Sequence, residues 1–150
     1  MRRNTPKRAR IVLDSVVWIS AFLTPGGLTA ALVQRCRGRV ELVSSEEILD
    51  ETREVLRARR HLRTRFAYDE STVERYLRDI RRIVEIVAPA VVPVFERDPK
   101  DTKLLACAVA ASADFLVTRD LDLLELRTYR NTVIVNPEVY IRSLREETTT

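Results

Sequence analysis

Two acidic residues follow short apolar runs, at positions where a carboxylate needs a partner. Asp14 ends the run RIVLD, and Asp120 stands just after the run FLVT. Each run predicts a buried strand, and a carboxylate beside such a strand is costly unless it is paired or bound to a cation. In an open parallel sheet, functional residues gather at the carboxyl ends of the strands. We therefore expect Asp14 and Asp120 to lie at one edge of a sheet and to do chemistry there.

Two more acids lie on predicted helices that reach the same edge. Glu51 is three residues after Ile48 and four before Val55, so it lies on the inward face of its helix. Asp101 starts an alanine-rich helix whose apolar residues pack behind it. A charged group on an inward face needs a partner. The candidate catalytic residues are therefore Asp14, Glu51, Asp101 and Asp120.

Four carboxylates that converge would repel one another and raise one another's pKa unless a cation neutralises them. Mg²⁺ or Mn²⁺ would do so. Mg²⁺ prefers oxygen ligands, keeps several waters, and is held by a few carboxylates together with substrate phosphate. Such a site can activate water and stabilise the leaving oxygen of a phosphodiester. The acids therefore predict metal-dependent hydrolysis of phosphodiesters.

Each acid also has a structural explanation, which the sequence leaves open. Asp14 could cap the helix that follows it, and Asp101 could favour the dipole at the start of its own helix. Glu51 could instead pair with Arg53 or Arg57. Neighbouring acids could also take the predicted roles, namely Glu46, Glu47 or Glu54 for Glu51, and Asp122 for Asp120. Asp98 is more simply a cap before Pro99.

The run 57–65 is rich in arginine and is a candidate phosphate-binding surface. The residues that we expect to contact nucleic acid are Arg57, Arg60 and Arg63. The alternative, a solvated loop and helix end, weighs about equally. His61 lies in the same run, and metal-assisted hydrolysis does not require a histidine.

Length and composition describe one ordinary globular domain. The chain has 150 residues, of which 45% are hydrophobic and 32% are charged. Only 3 glycines argue against a glycine-rich phosphate loop and against an all-β fold with many turns. The formal net charge of +4 favours anionic partners such as nucleic acid. We expect a loose basic arm over 1–9, a nuclease domain over 10–145 and a frayed tail over 146–150.

The cysteines and the apolar runs indicate a cytoplasmic protein. Cys36 and Cys107 are far apart in apolar surroundings, so we expect both to be reduced and buried. Two isolated cysteines and one histidine do not make a zinc site. No apolar run reaches the ~18 residues that span a bilayer, and Asp14 interrupts the stretch behind the basic N-terminus.

Strand and helix patterns alternate along the chain. Strands are predicted at 10–14, 40–43, 114–118 and 132–135, with an extended edge segment at 89–94. Helices are predicted at 16–23, 28–37, 45–58, 101–111 and 121–126 and from Pro137, with 59–69 irregular. A further helix, capped by Asp69 or Ser71, is predicted to run to about 87. Ser44 is predicted to cap the third helix, with Glu47 completing a capping box. This alternation predicts a three-layer α/β/α fold with a central parallel sheet.

The chain resembles the PIN domain family in four segments, which follow in the order RIVLDSVVWISAFLTPGG, VSSEEILDETREVL, DPKDTKLLACAVAASADFLVTRDLDLL and VIVNPEVYI. The resemblance covers about residues 10–145 and is nearest to the VapC-like branch, the toxins of toxin–antitoxin systems. It implies an endoribonuclease that depends on Mg²⁺ or Mn²⁺, an antitoxin partner and a homodimer. It places the catalytic acids at Asp14, Glu51, Asp101 and Asp120, the metal ligands at Asp14, Asp101 and Asp120, and supporting groups at Ser15, Thr118, Asp98 and Asp122.

One residue departs from the family pattern. The first motif of the family usually reads Asp-Thr-Asn, whereas this chain has Asp14-Ser15-Val16. Ser15 keeps the hydroxyl, but Val16 cannot form a hydrogen bond or orient water. The alternative function is therefore a degenerate PIN-like module that binds RNA or a partner protein with little or no catalysis. A phosphoacceptor or nucleotide-binding domain is a third possibility, which the absence of a glycine-rich loop disfavours.

Trp18 follows this motif closely. We expect it in the core, with a groove for a second copy or for an antitoxin as the alternative.

Overall fold

The computed structural model of the chain describes residues 8–89 and 101–148. Within these residues, helices alternate with strands, as the sequence predicts. In chain order the elements are β1 (Arg10–Leu13), α1 (Ser15–Leu23), α2 (Leu28–Cys36), β2 (Glu41–Ser44), α3 (Glu46–Ala58), α4 (Arg60–Phe66), α5 (Glu70–Ile83), β3 (Val84–Ile86), α6 (Thr102–Ala110), β4 (Phe115–Val117), α7 (Leu121–Leu126), β5 (Thr128–Tyr129), β6 (Thr132–Val135) and α8 (Pro137–Thr148).

The strands form one mixed sheet in the order β3-β2-β1-β4-β6-β5. The pairs are parallel except for β5 and β6, which run antiparallel. Ile11, Val12 and Leu13 of the central strand β1 are all completely buried. Successive side chains of a strand point to opposite faces of the sheet, so both faces must be covered by helices. The predicted three-layer α/β/α architecture is therefore confirmed, with a sheet that is mostly parallel.

Strands β1 and β4 end side by side at one edge of the sheet. Leu13 pairs with Val117, and the ladder continues beyond them because the N–H of Asp14 donates to the carbonyl of Val117 at 3.0 Å. The N–H of Thr118 donates to the carbonyl of Val135 on β6, also at 3.0 Å. The strand register therefore sets Asp14 beside Thr118.

The predicted end of the helix that runs to 87 is wrong. Helix α5 stops at Ile83, and Val84–Ile86 form β3 against β2. The β-branched residues Val84 and Ile86 suit a strand, and pairing with β2 outweighs continuation of the helix. The apolar pattern runs across this junction without a break, so the sequence shows no boundary there.

The predicted cap of the third helix is off by one residue. Ser44 is the last residue of β2, and its carbonyl accepts from the N–H of Val87 at 2.9 Å. Ser45 caps α3 instead, since its hydroxyl accepts from the N–H of Ile48 at 3.3 Å. Ser44 belongs to the strand, so Ser45 is the residue that caps the helix.

Two short elements are absent from the predictions. Helix α4 lies inside the segment 59–69 that we expected to be irregular. It contains no buried residue, so hydrophobic periodicity could not reveal it, although arginine and leucine favour helices. Strand β5 has two residues and pairs with β6 through a tight connection in which Arg130 has φ 54°.

The ends of the chain are described in part. Helix α8 continues to Thr148, into the segment that we expected to be a frayed tail. Residues 1–7 lie outside the described residues, as does the predicted edge segment after Pro89. The domain boundaries therefore stay a prediction.

The cysteines are core residues, and the apolar helices α1 and α2 were compared with membrane-spanning helices. Cys36 and Cys107 are free and buried, as predicted, and burial raises the pKa of both thiols to about 12. No single helix among the described residues has the length and apolar composition for crossing a membrane. Helices α1 and α2 meet that description only as a pair, which is bent by 110°.

Candidate active site

Two hydroxyl groups contact Asp14 at the end of β1. Thr118 Oγ1 donates to Asp14 Oδ2 at 2.7 Å, and Ser15 Oγ lies 3.2 Å from Asp14 Oδ1. Asp14 is the N-cap residue of α1, yet its side chain makes no capping hydrogen bond. Burial raises the pKa of Asp14, the hydrogen bond from Thr118 lowers it, and the charge of Glu51 raises it. The net shift of the Asp14 pKa is upward, because burial has the largest effect.

Thr118 connects Asp14 to Asp120. Thr118 is completely buried, and its Oγ1 accepts from the N–H of Asp120 at 3.0 Å while it donates to Asp14. Asp120 caps α7, since its Oδ1 accepts from the N–H of Leu123 at 3.2 Å. Asp122 is exposed in the first turn of the same helix. Position therefore favours Asp120 over Asp122 as the residue that faces Asp14.

Glu51 comes to Asp14 from α3. Ser15 Oγ lies 3.0 Å from Glu51 Oε2, so one hydroxyl is within hydrogen-bond distance of both carboxylates. The partners considered from the sequence are engaged elsewhere, because Arg53 pairs with Glu74 and Asp50, and Arg57 pairs with Glu70. Lys103 of α6 reaches Glu51 instead, with its Nζ 3.5 Å from Oε2.

Asp101 stands at the start of α6. It is only 7% exposed, and as the N-cap residue it makes no capping hydrogen bond with its side chain. The positive end of the helix dipole favours a carboxylate at this position. Asp98, predicted as a supporting residue, lies outside the described residues.

The four predicted acids line one cavity of about 340 Å³ at the carboxyl ends of β1 and β4. Ser15 and Val16 from the start of α1 also line it, together with Ile48 and Leu104. The structure therefore brings together acids from four separate segments of the chain, as the sequence predicts. Apolar side chains beside four carboxylates make this a place where a cation would be attracted strongly.

The donor set of the cavity suits a hard divalent cation, since carboxylate oxygens are the ligands that Mg²⁺ prefers. In the described parts of the chain, however, no three acidic, histidine or cysteine side chains converge on a common point at which an ion would be bound. Asp14 and Asp120 use oxygens for hydrogen bonds to Thr118 and Leu123. Ligation by three of the acids would therefore require rotation of their side chains.

Arg119 lines the cavity and was not among the sequence candidates. Its Nη1 lies 2.6 Å from Oε1 of Glu138, on the first turn of α8. Its position between Thr118 and Asp120 in the run T-R-D is the signal that could have identified it. Val16, the residue that departs from the family pattern, is 47% exposed beside the same cavity.

The predicted phosphate-binding arginines lie on a different part of the surface. Arg57 and Arg63 line a second cavity, of about 330 Å³, whose walls come from α3, α4 and α5. Arg60 begins α4 and is exposed. Two acids share this cavity, Glu54 and Glu70, so it is not purely basic. His61 is exposed on α4 and does not line the acidic cavity.

Two solved structures resemble this fold at low sequence identity. VapBC2 from Rickettsia felis, solved with a DNA fragment from its promoter, has a TM-score of 0.60 and 12% identity over 85% of this chain and 98% of that one. The PIN domain of RRP44 from T. brucei has a TM-score of 0.52 and 13% identity over 96% of this chain and 85% of that one. Both likenesses bear on the fold alone.

A comparison of this sequence with models of protein families identifies the family of the chain. None of the curated proteins matches this chain significantly. The family profile described as the PIN domain matches residues 10–122, which include all four acids of the cavity. The chain therefore belongs to the PIN domain family.

Proposed function

We propose that this chain is an endoribonuclease that hydrolyses RNA phosphodiesters with the help of Mg²⁺ or Mn²⁺. The observation that carries the proposal is the cavity at the carboxyl ends of β1 and β4, which Asp14, Glu51, Asp101 and Asp120 line together. Domains of the PIN family are generally nucleases and generally use divalent metal ions. A divalent ion would also relieve the repulsion among these carboxylates.

The contacts of these residues support the roles that we assign to them. Asp14, Asp101 and Asp120 would bind the ion, which would supply an activated water and neutralise charge on the phosphate. Thr118 orients Asp14 by its hydrogen bond and fixes the start of α7 through the N–H of Asp120. Ser15 keeps Glu51 beside Asp14. Asp122 and Asp98, which belong to the same motifs, would act as supporting acids.

We assign substrate binding outside the cavity to the exposed arginines Arg57, Arg60 and Arg63, which would contact backbone phosphates of the RNA. We also propose that the chain is the toxin of a toxin–antitoxin pair, acting in the cytoplasm as a homodimer that an antitoxin binds. The likeness of fold to VapBC2, a complex solved with its promoter DNA, supports an antitoxin partner.

Metal removal tests the proposed function directly. The purified chain is expected to cleave single-stranded RNA with Mn²⁺ or Mg²⁺. In EDTA the cleavage rate is expected to fall at least about 100-fold, because the ion would activate the attacking water. Cleavage should return when Mn²⁺ is added in excess. A DNA oligonucleotide of the same sequence serves as the control for an endoribonuclease. Cleavage that persists in EDTA would contradict metal dependence.

Val16 favours a second candidate function, a degenerate PIN-like module that binds RNA or a partner protein with little catalysis. The side chain is 47% exposed beside the acids and offers no polar group to orient water. Groups that orient ligands or water typically change activity by about 10–100-fold.

Val16→Asn is therefore expected to raise Mn²⁺-dependent cleavage about 10- to 100-fold by restoring a polar group at the cavity. Val139→Asn on α8 is a matched control, because Val139 is also 47% exposed and does not line the cavity. Initial rates on one RNA substrate compare the three proteins. If the unmodified chain is inert with Mn²⁺ and only Val16→Asn cleaves, the degenerate module is the correct function.

A further inference from the structure

Glu51 interacts with a cation that belongs to the chain itself. The Nζ of Lys103 lies 3.5 Å from Glu51 Oε2, and the two side chains are 35% and 32% exposed. The same oxygen lies 3.0 Å from Ser15 Oγ, which also contacts Asp14. The ammonium group of Lys103 thus stands next to a pair of neighbouring carboxylates and reduces their mutual repulsion.

Lys103 is placed to change partners. It lies two residues after Asp101, yet Asp101 is 7% exposed whereas the side chain of Lys103 is about one-third exposed. A lysine carries a point charge on a flexible four-carbon stem, and its ammonium can swing over several ångströms. Ion pairs with this degree of exposure are weak, so a divalent cation held beside Glu51 by Asp14, Asp101 and Asp120 would repel the ammonium and weaken its pairing with Glu51.

We propose that Lys103 is a positioning residue with two partners in turn: Glu51 while the cavity holds no metal, and a phosphate of single-stranded RNA once a divalent cation is bound. The inference rests on the proposed nuclease function, which supplies the RNA. The released ammonium would stay close to the acidic cavity, because Glu51 lines that cavity and lies 3.5 Å from Lys103 Nζ, and from there its charge would attract the phosphate backbone. A lysine that merely stabilised α6 against α3 would have neither effect.

The first test measures Mn²⁺ affinity by calorimetry in the absence of RNA. Lys103→Met is expected to bind Mn²⁺ about two- to fivefold more tightly, because the competing ammonium is gone. Lys103→Arg should stay close to the unmodified chain. In a Glu51→Gln background the effect of Lys103→Met should vanish, since the partner carboxylate is absent.

The second test measures RNA cleavage at saturating Mn²⁺. Lys103→Met is expected to raise KM about tenfold with kcat changed less than about twofold, because a backbone contact is lost. The salt dependence of kcat/KM, plotted as logarithms, should become shallower by about 0.7, the value for one phosphate contact on a single strand. Lys103→Arg should restore both. Arg142→Met, which removes an equal charge from an exposed position of α8, should change neither.

The outcomes separate this inference from the proposed function. An unmodified chain that cleaves RNA while Lys103→Met leaves Mn²⁺ affinity, KM and the salt slope unchanged would overturn the role of Lys103 alone. Weaker Mn²⁺ binding in Lys103→Met would overturn it as well, because it would show that the ammonium supports the metal. An unmodified chain that cleaves no RNA under any metal would overturn the nuclease proposal, and with it the phosphate-binding half of this one.

Discussion

Asp14→Asn is expected to lower Mn²⁺-dependent RNA cleavage by more than about 100-fold, beyond the ~10–100-fold that removal of an outer partner typically costs. The substitution removes a negative charge from the wall of the cavity but keeps the shape of the side chain. The remaining amide oxygen can still accept from Thr118, whose Oγ1 lies 2.7 Å from Asp14 Oδ2. The measurement is the initial cleavage rate at saturating Mn²⁺.

The same variant is expected to be at least as stable as the unmodified chain in EDTA. Burial raises the pKa of Asp14 above its usual range. An acid whose pKa is raised by folding is harder to ionise in the folded chain, so above that pKa its charge lowers the stability of the fold. A neutral asparagine escapes this cost at pH 7. Loss of activity together with unchanged or higher thermal stability is the pattern of a residue kept for function.

Asp101→Asn should have the same effect on cleavage, since Asp101 lines the same cavity from the start of α6. Asp50→Asn is the matched control. Asp50 immediately precedes Glu51 on α3, but it is exposed and pairs with Arg53. It should retain full activity. If Asp14→Asn and Asp101→Asn both cleave RNA at the unmodified rate, the cavity is not the active site.

The acids of the cavity could be predicted because two simple rules locate them. Asp14 and Asp120 follow apolar runs that pair in the sheet, and the carboxyl ends of parallel strands share one edge. Glu51 was predicted from the phase of its helix. The hydroxyl of Ser15, by contrast, contacts Glu51 across 36 positions of sequence, a pairing that no local pattern encodes.

The errors have identifiable physical origins. Helix α4 buries no residue, so the 3.6-residue periodicity that reveals helices is absent from it. Val84–Ile86 continue the apolar pattern of α5, and they form a strand because they pair with the edge of β2. Arg119 was not predicted to line the cavity, because its partner Glu138 belongs to a helix that follows two further strands. For β3 and for Arg119, tertiary contacts rather than local preference determine the outcome.

Trp18→Ala is expected to lower the free energy of unfolding by about 3–5 kcal/mol, the usual range for truncation of a buried tryptophan. Trp18 is 1% exposed on α1 and is among the largest completely buried side chains. Its carbonyl accepts a hydrogen bond from Tyr76 Oη of α5 at 2.6 Å, so α1 is joined to α5 at the same residue. The core position predicted from the sequence is thereby confirmed.

Trp18→Phe separates packing from polarity at this position. The indole Nε1 is buried and donates no hydrogen bond among the described residues, so its removal leaves no partner unsatisfied. We therefore expect Trp18→Phe to cost less than about 2 kcal/mol, with the difference from Trp18→Ala reflecting the lost volume. Denaturant titrations in EDTA give both values, provided that the dependence of the free energy on denaturant stays unchanged. A loss below about 1 kcal/mol for Trp18→Ala would contradict a structural role for this buried side chain.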